Sequence, residues 1–160
     1  MERSIEEWKE YWKARNENNT RLREKIKSIG IKNDDVVLLV YNDGNVKVGV
    51  FNVGSDNRVT LKISLRKAPY KSYDDCETMV DLDFVDDITL ANDKDITALK
   101  LAERFWHQNY DLTPLIEMVK RGKIAEHEAI LVLTDACFND TKLSDLIVNF
   151  VGAVRKAKVI

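Results

Sequence analysis

Four carboxylates crowd one short stretch of this chain: Asp81, Asp83, Asp86 and Asp87. Alternation along a strand puts Asp81 and Asp83 on one outward face, and the turn that follows adds Asp86 and Asp87. Oxygen-rich clusters of this kind hold divalent cations or meet a basic partner; on a solvated strand they also discourage edge pairing. A metal-dependent enzyme built on these four residues is therefore one function class to consider. The second chemically equipped stretch is Arg66-Lys67-Ala68-Pro69-Tyr70-Lys71-Ser72-Tyr73. Its cations interleave with tyrosines, a pattern that pairs phosphates and stacks bases in single-stranded RNA or DNA. Arg21, Arg23, Lys25 and Lys27 would enlarge that patch if the fold brought them near. Tyrosines covering the end of a barrel give the same pattern without any ligand.

Other chemistry is sparse. His107 and His127 are the only histidines, and His127-Glu128 lacks the second histidine that a zinc helix places four residues on, where Leu131 stands. No glycine-rich phosphate loop, CxxC pair or Ser/His/Asp arrangement is legible. Cys76 and Cys137 lie far apart, and Cys137 reads as a buried thiol beside Phe138. No cofactor is implied, and the expectation is a protein that is not an enzyme.

The elements that position these residues follow from hydrophobic periodicity. Residues 2–29 predict one long helix whose seam is Ile5, Trp8, Trp12, Arg15, Asn19, Leu22, Ile26 and Ile29, with Gly30 as its stop. Two arrangements stay open for it. The seam pairs with another helix, or its tryptophan-rich first half docks on the chain's own core while the middle is solvated.

Five short strands come next: Val36–Tyr41, Asn45–Val53, Arg58–Leu65, Thr78–Phe84 and Ile88–Ala91. Asn42-Asp43-Gly44-Asn45 makes a hairpin turn, Gly49 marks a bend or bulge, and Val59, Leu61, Ile63 and Leu65 point inward. Residues 66–77 are expected to form a polar loop, and Val85-Asp86-Asp87 a short turn. The last third predicts helices. Asp95 caps Ile96–Gln108, with Ile96, Leu99, Ala102 and Trp106 on one stripe. Thr113-Pro114 opens a helix that Gly122 ends, residues 124–138 form another, and Asp140 caps Thr141–Lys156.

Composition agrees with a folded domain: 160 residues, 44% apolar and 32% charged, with a net charge of −2. The charge is uneven. Residues 1–33 hold nine Lys/Arg and six Asp/Glu, whereas residues 34–95 hold seven and thirteen. An acidic strand region disfavours the barrel as a whole as a phosphate-binding surface. No apolar run is long enough to span a membrane, and the N-terminus does not read as a secretory signal, so the expected location is cytoplasmic.

A helix followed by five short strands, with Asp43-Gly44, then Gly49-Val50-Phe51, then Gly54-Ser55-Asp56, resembles the Sm-like family among the SH3-like small barrels. The resemblance covers residues 31–91, or residues 1–91 with the leading helix. It implies barrel topology, ring or dimer assembly through edge strands, and no catalysis. The asparagine that contacts RNA in that family is missing near Val59, and Val85-Asp86-Asp87 replaces the Arg-Gly pair of its second motif.

The expected architecture is thus α+β: an N-terminal helix (1–30), a five-stranded antiparallel barrel (31–93) and a helical C-terminal region of three to four helices (94–160). The expected function is a non-catalytic protein-binding or assembly module, its partner another protein or a second copy of itself. The contact residues would be Trp8, Trp12, Arg66, Lys67, Tyr70, Lys71 and Tyr73.

Overall fold

A computed structural model describes residues 2–159, with the side-chain surroundings of all of these except 140 and 157–159. The fold is α+β. Helix α1 (Ile5–Ile29) precedes strands β1 (Val36–Tyr41), β2 (Val46–Val53), β3 (Val59–Ala68), β4 (Ser72–Asp74), β5 (Thr78–Met79) and β6 (Val85–Leu90). Helices α2 (Asp93–Trp106), α3 (Thr113–Lys120), α4 (Glu126–Ala136) and α5 (Asp140–Val159) complete the chain. All strand pairings are antiparallel, in the order β4-β3-β2-β1-β6, with β5 also on β3. A 3-10 turn over Leu82–Phe84 carries the chain from β5, beside β3, to β6, beside β1.

The sheet therefore has an inside and an outside. Val37, Leu39, Phe51, Val59, Leu61, Val80, Leu82, Val85 and Ile88 converge on one buried cluster, which Leu22 and Ile26 of α1 complete. Val48, Leu65 and Tyr73 belong to a second cluster with α2, α4 and α5. Strand β3 serves both, and the register shows how. Gly49 pairs with Ser64 and Phe51 with Leu61, so Lys62 and Ile63 together face the single residue Val50. A bulge of this kind reverses the side-chain alternation beyond it. Hence Val59 and Leu61 point inward as predicted, whereas Ile63 and Leu65 turn to the outer cluster. Gly49 has no room for a side chain: a Cβ there would lie 2.7 Å from Leu61 Cδ1 and 2.8 Å from the Ile63 carbonyl oxygen.

Several expectations need correction. Residues 66–77 are not a loop. β3 runs on to Ala68 and turns through a cis Ala68–Pro69 bond into β4, which pairs Arg66 with Ser72 and Leu65 with Tyr73. The predicted strand Thr78–Phe84 is only the two-residue β5, because Asp81 accepts from the Asp83 N–H and caps the 3-10 turn. Val80, Leu82 and Phe84 have the spacing of a strand, but Phe84 is exposed while Val80 and Leu82 are buried. Val85-Asp86-Asp87 is the start of β6, not a turn. In α2 the cap is Asn92, and Asp95 sits within the first turn; Trp106 lies off the buried stripe, where Phe105 takes its place. Asn139, ahead of Asp140, accepts from the Thr141 N–H at 3.2 Å and begins α5. Gly30 (φ 75°) and Gly44 (φ 90°) hold the left-handed positions that the helix stop and the hairpin require.

Candidate interaction surface

Helix α1 is held to the rest of the fold from Arg15 onward. Leu22 and Ile26 are buried in the barrel cluster, and the Asn18 amide donates to the carbonyls of Leu82 (3.0 Å) and Val85 (2.9 Å). Arg21 donates to the Asp86 carbonyl at 2.9 Å, Arg23 to the Asn57 carbonyl at 2.9 Å, and Lys25 is bonded to Asp87. Arg15 is the last anchor towards the N-terminus. Its guanidinium lies 3.3 Å from Asp83 and 3.7 Å from Asp81, and 4.1 Å from the Phe84 ring centre.

Of the four clustered carboxylates, Asp81, Asp83 and Asp87 are thus counter-charges of α1, whereas Asp86 meets Arg21 through its backbone carbonyl. The basic helix and the acidic strand region are two sides of one intramolecular joint. Bonding to Lys25 holds the Asp87 carboxyl below its ordinary range, against the opposing push of burial. Among the described residues, no group of three or more His, Cys, Asp or Glu is arranged to hold a metal ion.

The first half of α1 carries the same seam beyond the sheet. Ser4 caps it, accepting from the Glu7 N–H at 3.1 Å. Ile5, Trp8 and Trp12 are 76%, 44% and 49% exposed, although their spacing continues that of Leu22 and Ile26. The expectation that the tryptophan-rich half docks on the chain's own core is reversed: the second half docks and the tryptophan half overhangs. The exposed rings order one another. Trp8 and Tyr11 meet edge-on at 5.7 Å, as do Tyr11 and Trp12 at 5.5 Å. Arg3 lies over Tyr11 at 4.3 Å and Arg15 over Trp12 at 4.8 Å. The result is a stack of alternating cations and rings from Arg3 to Phe84, anchored at Arg15. A shallow, open groove lined by α1 alone runs along the exposed side of the helix from Ile5 to Glu24.

The other residues expected to touch a partner are scattered. Tyr73 is buried and donates to Asp75 at 2.8 Å; burial and that bond push its hydroxyl pKa well up. Lys67 reaches Asp95 at 2.7 Å and Asp135 at 3.8 Å, tying β3 to α2 and α4. Arg66 donates to Ser72 and lies 4.4 Å from the centre of the Tyr70 ring, which is exposed. Lys71 is half-buried. Arg21, Arg23 and Lys25 bond to Asp86, Asn57 and Asp87, so they do not extend the 66–73 patch. His107 stands 3.5 Å from Asp75, and Glu128 accepts from the Ala125 N–H and pairs with Lys94.

No protein-family model matches this chain, and no curated protein matches it. Among solved structures, a crystal structure of a novel Sm-like archaeal protein from Pyrobaculum aerophilum is similar over 50% of this chain and 62% of its own, with 20% identity and a TM-score of 0.33. The chain thus spans less than two thirds of that protein. No helix among the described residues is long and apolar enough to cross a membrane.

Proposed function

We propose that this chain is a non-catalytic assembly module that pairs with a second copy of itself along the exposed side of α1, from the overhanging Ile5 to Glu24. One observation carries the reading: a single helical seam is buried against the sheet from Leu22 to Ile26 and left open, with two tryptophans, from Ile5 to Trp12. Isolated exposed apolar side chains are ordinary, but a contiguous aromatic stripe on a projecting helix marks a contact surface.

The charges beside that stripe favour a copy of the same helix as the occupant. Lys9 and Lys13 flank the groove near its amino end, Glu17 and Glu24 near its carboxyl end. An antiparallel copy centred between Asn16 and Glu17 sets Lys9 against Glu24 and Trp12 against Arg21, twice over by symmetry. A parallel copy would place like charges together. The groove's twenty positions correspond to about 30 Å of helix. A contact of that length falls at the small end of stable interfaces, so the pair is concentration-dependent.

A charge-exchange series tests the pairing. Glu24→Lys weakens self-association in sedimentation velocity, Lys9→Glu does the same, and the double variant restores it. Single variants that sediment as the parent does would refute the antiparallel pair.

A further inference from the structure

Away from α1, the end of α2 and the α4–α5 junction enclose a half-open cavity of about 320 Å³. Its walls are largely aromatic, made by Phe105, Trp106, Tyr110 and Phe138, and Gln108, Cys137 and Asn139 complete the lining. The rings are fixed by their neighbours. Phe105 stacks on Tyr110 at 5.3 Å, and Phe138 stacks on the buried Tyr73 at 5.8 Å and meets Trp106 at 6.1 Å. A cavity of this size, walled by rings and carrying a few polar groups, has the make-up of a small-molecule site.

Two details narrow the ligand. The first is charge. None of the described lining residues is charged, and Lys142 already lies 4.2 Å from the Tyr110 ring centre. A cationic guest would meet that ammonium and find no carboxylate in the wall, while an anionic one would face the negative faces of the rings. A neutral guest has neither penalty. The second detail is the polar lining. Asn139 Oδ1 is taken by the Thr141 N–H at 3.2 Å and the Thr141 hydroxyl at 2.7 Å, which leaves the Asn139 amide nitrogen as a donor. Gln108 follows the end of α2 with φ 62°, the left-handed position that glycine or asparagine ordinarily fills. Its neighbours give the usual reason for the turn: Asn109 N–H donates to the Arg104 carbonyl at 2.8 Å and Gln108 N–H to that of Phe105 at 3.1 Å. The long amide side chain there accepts from the Tyr110 hydroxyl at 3.5 Å, which leaves its amide nitrogen as a donor. At this cavity, that side chain adds a second amide group.

We propose that this cavity is a binding site for a small, neutral, planar heteroaromatic molecule, stacked among Trp106, Tyr110 and Phe138 and bonded through a ring acceptor to the amides of Gln108 and Asn139. The site is independent of α1 and of its pairing.

The test uses the full chain labelled with nitrogen-15 and titrated with quinoline at neutral pH. Saturable shifts of the Trp106 indole, Gln108 and Asn139 signals are expected, with a dissociation constant of about 1 mM or tighter. Tetramethylammonium, the cationic contrast, should leave those signals in place. Trp106→Ala removes one exposed wall and weakens quinoline at least about tenfold, whereas Trp8→Glu/Trp12→Glu leaves the affinity unchanged. The proposal is overturned if quinoline moves no cavity signal, if it moves only those of Trp8 and Trp12, or if tetramethylammonium binds the cavity more tightly.

Discussion

Alanine substitutions at Leu22, Trp8 and Trp12 separate the docked part of α1 from the overhanging part. Leu22 is fully buried in the barrel cluster, so truncating it removes apolar contacts and leaves a cavity at about 2–5 kcal/mol. For a domain of this size each kcal/mol moves the midpoint by about 2–4 °C. Leu22→Ala therefore lowers Tm by roughly 4–20 °C on those two scales. Trp8 and Trp12 touch neighbouring rings and cations of their own helix and are nearly half exposed. Trp8→Ala stays within about 0.5 kcal/mol. Trp12→Ala costs at most about 1 kcal/mol, the value of an exposed cation–π contact with Arg15. The assay is thermal and urea unfolding followed by far-ultraviolet circular dichroism, at protein concentrations low enough to keep the chain monomeric. A Trp12→Ala loss as large as that of Leu22→Ala in dilute solution would refute the division, because the tryptophans would then be packing on the body of the protein.

Three further outcomes follow from the packing and the charges. Lys67→Ala strands Asp95, which is 5% exposed, and costs about 3–5 kcal/mol in urea unfolding, whereas Lys67→Met with Asp95→Leu recovers most of that loss. Gly49→Ala forces a Cβ against Leu61 and the Ile63 backbone and destabilises by about 1–3 kcal/mol, read in the same assay. The Asp87 carboxyl is depressed in the fold, so its contribution is fully present above the ordinary carboxylate value of about 3.9 and is lost as pH falls through the folded value. Lys25→Met should move the Asp87 titration, followed by carboxyl NMR, back upward and flatten the acid limb of the stability curve.

Local signals were enough for part of this fold. Asn42-Asp43-Gly44 fixed the first hairpin and Gly30 the end of α1, because each depends on neighbours in sequence. The errors came where a cap overrides the alternation or where distant residues decide. Val80, Leu82 and Phe84 alternate as a strand would, but the Asp81 cap winds them into a 3-10 turn. The bulge opposite Val50 exchanges the two faces of β3, and nothing in Lys62-Ile63 announces it. Tyr73 reads as a loop residue until β4 pairs with β3 and buries it.

The candidate surface was half legible. The seam and its tryptophans stood out, and so did the charge imbalance between helix and strands. That Asp81, Asp83 and Asp87 are the partners of Arg15 and Lys25 depends on contacts across more than sixty residues of chain. The charge imbalance was the signal that could have found them. The same joint explains why removing all of α1 is a poor test of assembly: Leu22 and Ile26 belong to the barrel core.

Self-association through the overhang is measured most directly by light scattering of the full chain against Trp8→Glu/Trp12→Glu, over a range of protein concentrations. The parent should rise towards twice the monomer mass of 18.4 kDa as concentration increases, while the double variant stays at the monomer mass with an unchanged circular dichroism spectrum. A parent that remains monomeric throughout, or a double variant that dimerises equally well, would contradict the account.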